Sequence, residues 1–215
     1  MKKLFLTPLL ILFVSISVQA AETDPTDASG GGADAADATQ ERLKLCAGCH
    51  GMDGNSQFAT FPKLAGQHAP YLLKQLKDFK ANKDRSNPIM LGQVAALTEK
   101  DMQELADYFA SQETAPGTVH TDKETLAFGK RIYHGGNMDT GVPACMACHG
   151  PAGTGNDLAG FPALAGQHAT YTRTQLNSFH SGERKNDKKS MMRGAASRLT
   201  GEEIEAVSQY IASLK

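Results

Sequence analysis

The sequence predicts an all-α protein built from two tandem copies of one helical module. A block of motifs recurs at an offset of about one hundred residues. Between the motifs, apolar residues fall at helical spacing, and no convincing alternation of apolar and polar residues marks a strand.

The amino terminus stands apart from both copies. Lys2 and Lys3 precede an apolar run from Leu4 to Val18 and the small-residue site Val18-Gln19-Ala20, so residues 1–20 read as a secretory signal peptide. This predicts export to the periplasm. An uncleaved anchor is the alternative, but the run is near the lower limit for spanning and Pro8 interrupts it. Residues 21–38 hold five acidic residues, no basic ones and no large apolar side chain. Such a stretch buries too little surface to offset its ordering entropy and is expected to be a disordered acidic leader.

The repeat sets the remaining boundaries. Cys46-Ala47-Gly48-Cys49-His50-Gly51 returns as Cys145-Met146-Ala147-Cys148-His149-Gly150. Phe61-Pro62-Lys63-Leu64-Ala65-Gly66-Gln67-His68-Ala69 returns as Phe161-Pro162-Ala163-Leu164-Ala165-Gly166-Gln167-His168-Ala169. Met90-Leu91-Gly92, with Leu97-Thr98 downstream, returns as Met192-Arg193-Gly194 with Leu199-Thr200. Residues 39–112 form the first domain, 113–121 a linker and 122–215 the second domain. Nine Lys/Arg stand against eight Asp/Glu in the first domain, and eleven against ten from Glu113 onward. Two nearly neutral halves do not suit nucleic acid.

Each module is read as three helices. The first leads into the cysteine pair, over Gln40 to Leu45 in one half and about Lys123 to His134 in the other. The second follows Gln-His and places Tyr71, Leu72, Gln75, Leu76 and Phe79 at helical spacing. The third starts at the capping boxes Thr98/Asp101 and Thr200/Glu203. Its core faces are Met102, Leu105, Ala106 and Phe109, and Ile204, Val207 and Ile211. Modules this small have marginal cores, which a large apolar cofactor would complete.

Cys-x-x-Cys-His names that cofactor. Two thiols three residues apart on a helical turn each bond one haem vinyl group, and the next histidine lies under the iron. Cys46, Cys49, Cys145 and Cys148 are thus the candidate thioether residues for two covalently bound haem c groups, with His50 and His149 as iron ligands. Disulfides, a thioredoxin-like pair and a four-cysteine zinc site are the competing readings. The pair lacks the preceding strand of a redox motif, and zinc leaves both histidines unexplained. With seven His in 215 residues, finding one by chance after both pairs is roughly a one-in-a-thousand event.

The sixth ligand separates electron transfer from catalysis, because a closed iron exchanges single electrons whereas an open one binds oxygen or peroxide. Met52 sits too near His50 to reach the opposite face, and Met102 lies on an apolar helix stripe. Met90 follows Asn87-Pro88 in a segment read as irregular, from which the chain passes round the ring edge. Met191 and Met192 compete in the second half; the repeat selects Met192, in register with Met90. The distal ligands are therefore Met90 and Met192. His68 and His168 are alternatives that would make bis-histidine sites. Tyr71, Tyr171, Gln75 and Gln175 recur in matching places, either as propionate donors or as interior packing. Arg184, Lys185, Lys188, Lys189 and Arg193 form a basic cluster that either docks an acidic partner or is a solvated loop.

The chain resembles the cytochrome c4 family from about Gln40 to Leu214. The resemblance rests on both Cys-x-x-Cys-His-Gly motifs, both Phe-Pro-x-Leu-Ala-Gly-Gln segments, Tyr71-Leu72-Leu73-Lys74-Gln75-Leu76, Gly135-Gly136 leading to Val142-Pro143-Ala144-Cys145, and Gly155-Asn156-Asp157-Leu158-Ala159-Gly160. It implies two class I cytochrome c domains, each wrapped around one covalent haem and packed face to face with propionates near the interface. It implies the ligand pairs His50/Met90 and His149/Met192, with the carbonyls of Pro62 and Pro162 accepting the imidazole N–H. The helix before Cys46 lacks the glycine and aromatic residues that Phe128-Gly129 and Tyr133 supply in the second half. The function implied is electron transfer, not enzymatic catalysis: electrons pass from a respiratory donor complex to a terminal oxidase or reductase, with peripheral membrane association allowed. The cytochrome subunit of a periplasmic dehydrogenase and a di-haem peroxidase are the alternatives.

Overall fold

The computed structural model describes the backbone from Gly31 and side chains from Thr39 to Lys215; residues 1–20, read as a signal peptide, and residues 21–30 of the expected leader lie outside the described residues. Among the described residues helices dominate, and pairing between extended segments is limited to two isolated bridges, Asn137 with Val142 and Asn156 with Phe161.

In the first half, α1 (Gly31–His50) carries the whole Cys-x-x-Cys-His motif on its last turns. It starts inside the stretch expected to be disordered. Ala33, Ala35, Ala36 and Ala38 explain this: alanine has the best helix propensity, and extending a formed helix is far easier than nucleating one. Helices α2 (Ala69–Ala81), α3 (Pro88–Val94) and α4 (Glu99–Ala110) complete this half. The segment holding Met90, read as irregular, is thus helical. Pro88 occupies its first turn, and the Asn87 side chain caps it by accepting from the Met90 N–H at 3.0 Å.

The second half repeats the plan with one break. Helix α5 (Lys123–Gly135) stops ten residues before Cys145, and the motif rides on a separate turn, α6 (Met146–His149). Gly136 makes the break possible: its φ is +68°, and a Cβ there would strike the Val142 carbonyl. Then come α7 (Ala169–Ser181), α8 (Met191–Ala196) and α9 (Gly201–Ser213). Both capping boxes form as predicted, with Thr98 and Asp101 on α4 and Thr200 and Glu203 on α9 exchanging bonds.

Each half has its own core. Leu43, Leu72, Val94, Leu97, Met102, Leu105, Ala106 and Phe109 pack in the first; Ile132, Tyr133, Val142, Leu199, Ile204, Val207 and Ile211 pack in the second. The predicted faces of α4 and α9 are buried, and Met102 is core as expected. The first helix crosses the last in each half, but by different chemistry. A Cβ on Gly129 of α5 would run into the Ala206 carbonyl of α9, so those backbones touch. Across α1 and α4, Arg42 pairs with Asp101 at 3.1 Å and Thr39 donates to Glu104 at 2.6 Å.

The linker is tied down. Asn55 Nδ2 donates to the Glu113 carbonyl, Ala115 N–H donates to Asn55 Oδ1, and Thr114 Oγ1 donates to the Ala65 carbonyl. The buried Lys63 ammonium donates to the carbonyls of Ala115 and Pro116 at 2.7 and 2.8 Å.

Candidate functional site

The histidines of both Cys-x-x-Cys-His motifs are buried, His50 at 6 % exposure and His149 at 7 %. His50 Nδ1 lies 2.8 Å from the Pro62 carbonyl oxygen, and His149 Nδ1 lies 2.9 Å from that of Pro162. A carbonyl only accepts, so each Nδ1 carries the proton and each Nε2 keeps a free lone pair. Burial pushes both imidazoles below the ordinary histidine range, with the carbonyl acting against it. A neutral ring with Nε2 unprotonated is the form that binds iron. Phe61 meets the His50 ring edge-on and Phe161 lies tilted against that of His149, at 6.2 Å between centroids in each half.

The four cysteines are free thiols, and Cys148 is exposed. Burial raises the Cys46 thiol and pushes Cys145 up to about 11. Among the described residues no group of three or more His, Cys, Asp or Glu side chains is arranged to hold a metal ion. Paired unbonded thiols beside a buried, oriented imidazole, repeated in both halves, fit a covalent haem.

The methionines separate by burial. Met90 packs against the first core from α3, and Met192 is half-buried on α8, whereas Met191 is 43 % exposed and Met52 50 %. His168 is engaged elsewhere: its Nε2 lies 3.0 Å from both Oγ and the carbonyl oxygen of Ser56 in the other half. His68 Nε2 is buried and has no hydrogen-bond partner.

The recurring tyrosines and glutamines meet at the interface between the halves. Arg85 donates to the Tyr171 hydroxyl at 2.8 Å and to Gln75. Arg184 donates to the Tyr71 hydroxyl at 3.0 Å and to Gln175 at 2.8 Å. The guanidinium groups also stack on Phe79 and Phe179. This corrects the basic cluster. Arg184 is 7 % exposed and belongs to the interface, and Arg193 is paired with Asp187 at 2.8 Å. Only Lys185, Lys188 and Lys189 of that cluster are exposed. Sequence reasoning passed over Arg85, whose place fourteen residues after Tyr71 matches the thirteen between Tyr171 and Arg184. That near-repeat was the available signal.

The cytochrome c family matches residues 35–113 and again 127–215. Cytochrome c4 of Stutzerimonas stutzeri is 46 % identical over 83 % of this chain and 89 % of its own length. The chain belongs to the cytochrome c4 family. The crystal structure of reduced recombinant cytochrome c4 from Pseudomonas stutzeri superposes with a TM-score of 0.79 at 45 % identity, covering 84 % of this chain and 98 % of that one. A further relative, "Thiosulfate dehydrogenase electron acceptor" of Stutzerimonas stutzeri (strain A1501), is 38 % identical over 94 % of this chain and 91 % of its own. As a cytochrome c4 the chain is a di-haem c-type cytochrome with both haems covalently attached. It is an electron carrier and not an enzyme, which sets the peroxidase alternative aside.

Proposed function

We propose that this cytochrome c4 works in the periplasm as a two-site electron relay between a respiratory donor and a terminal oxidase or reductase. Cys46 and Cys49 hold one haem by thioethers, and Cys145 and Cys148 the other. His50 with Met90, and His149 with Met192, close the two irons. The observation that carries this reading is the matched pair of buried imidazoles, each fixed through Nδ1 by a proline carbonyl. Such a ligand is fixed before the electron arrives, so little rearranges on transfer. When bound, haem supplies the one-electron chemistry; the chain supplies attachment, ligation and exclusion of water. The signal peptide reading of residues 1–20 supports export.

A second reading is favoured by one relative. If this chain serves as its counterpart in strain A1501 is named to do, its donor is a thiosulfate-oxidising dehydrogenase. Rapid mixing of the oxidised holoprotein with such a dehydrogenase and thiosulfate separates the two donors. Fast reduction supports the dehydrogenase, and slow reduction supports a respiratory complex. Carbon monoxide tests the closed sites directly: the reduced protein is expected not to bind it, and ready binding at either haem would overturn the relay reading.

A further inference from the structure

The two halves are joined by a reciprocal glutamine clamp, and it grips the peptide beside each proximal histidine. Gln167 accepts the Lys63 N–H on Oε1 at 2.9 Å and donates from Nε2 to the Lys63 carbonyl at 2.9 Å. Gln67 accepts the Ala163 N–H at 2.9 Å and donates to the Ala163 carbonyl at 2.8 Å. Each Oε1 also takes the N–H of the following histidine, at 3.0 Å from His68 and 3.1 Å from His168. Gln67 is 9 % exposed and Lys63 7 %, so the contact is dry on that side.

The peptide unit decides the consequence. The carbonyl of Pro62 and the N–H of Lys63 belong to one amide. The oxygen of that amide accepts from His50 Nδ1, while its hydrogen is held by Gln167 of the other half. The same chain runs from His149 through the Pro162–Ala163 amide to Gln67. An amide whose N–H donates is polarised, and its oxygen becomes a better acceptor. A better acceptor draws the Nδ1 proton, and the ring gives more electron density to whatever Nε2 binds.

We propose that Gln167 and Gln67 are positioning residues that set the proximal hydrogen bond of the opposite domain's haem, each through a single amide. The inference rests on His50 and His149 being the iron ligands. Greater ring basicity stabilises the ferric form, so each glutamine lowers the potential of the haem it reaches. The two potentials therefore depend on docking of the halves. Separating the halves removes both hydrogen bonds together.

The test uses the holoprotein with Gln167→Met and, separately, Gln67→Met. The readouts are nitrogen-15 NMR of the reduced form, observing the ring Nδ1–H signals, and a stepwise reductive titration. Gln167→Met is expected to weaken the His50 Nδ1–H signal's downfield shift and raise the potential of the first-half haem. The change in its reduced-to-oxidised ratio is up to about tenfold, which is ~59 mV for one electron. His149 should stay unchanged, and Gln67→Met should give the mirror result. Gln167→Glu keeps an oxygen for the Lys63 N–H and should hold the His50 signal near its original place. Both haems moving together, each variant acting on its own domain, or Gln167→Glu matching Gln167→Met would each overturn the proposal. Ring signals of His50 and His149 lacking the large ring-current shift of a haem ligand in the unsubstituted protein would overturn the ligand assignment itself, and the inference with it.

Discussion

The Arg184 guanidinium donates to the Tyr71 hydroxyl of the other half, and Arg85 returns the contact to Tyr171. Among the described residues neither cation has a carboxylate within salt-bridge range, and burial pushes Arg85 below its ordinary value, with the nearby Arg184 charge adding to this. The two buried guanidiniums share the Gln75 amide oxygen as an acceptor. Burial opposes the charge on Arg184 too, but Tyr71, Tyr171 and Asp78 outweigh it and hold that group above its ordinary value, so the cost of the pairing falls on Arg85. Arg85→Met and Arg184→Met should each destabilise the protein, because tyrosine and glutamine groups lose their donors. The double variant should lose less than the two singles together, by about 1 kcal/mol. A denaturant double-mutant cycle on the holoprotein reads this, and strict additivity would argue against coupling.

Met191 and Met192 are neighbours with opposite prospects. Met192→His should lower one of the two reduction potentials, since imidazole replaces a thioether that favours the ferrous state. Met191→Leu should leave both potentials in place, because that side chain is 43 % exposed. Met90→His should lower the other potential. Spectroelectrochemical titration checks all three, and a potential that responds to Met191 instead would reverse the assignment.

The cofactor and the repeat were legible because each depends on residues close in sequence or on register between copies. Whatever depends on the two halves meeting was not. Arg184 reads as one charge in a basic run, and nothing local reveals that Tyr71, over a hundred residues earlier, accepts from it. Gln67 and Gln167 stood inside the quoted motif, yet their partners lie in the other copy. Helix α3 is a different kind of miss. Asn87-Pro88 is a cap followed by proline in the first turn, a start signal that a seven-residue helix is too short to back with periodicity.

The two helix crossings should respond unequally to substitution. Gly129→Val forces α5 away from the Ala206 carbonyl and should cost about 3 kcal/mol, with the second half melting first. Arg42→Ala removes an ion pair whose arginine is about one-third exposed, and should cost about 0.5 kcal/mol at low salt. Thermal unfolding followed at each haem distinguishes the halves. A larger loss from Arg42→Ala would mean that the polar crossing of α1 and α4 carries more than its exposure allows.

Acid should attack the protein through its capping boxes. Burial opposes ionisation of Asp101, but the Thr98 N–H and Arg42 outweigh it and hold the carboxyl below its ordinary value. Glu203 is likewise depressed: burial opposes ionisation, while the Asn137 amide and the Thr200 N–H win. A depressed carboxyl contributes stability that is fully present above its unfolded value, near pH 4, and is lost as pH falls through the lower folded value. Asp101→Asn and Glu203→Gln should therefore be less stable than the parent at pH 6, and the gap should narrow by pH 3 as the parent loses the same charges. Urea midpoints at the two pH values measure this. A gap that widens on acidification would show that these carboxyls are not ionised in the folded protein.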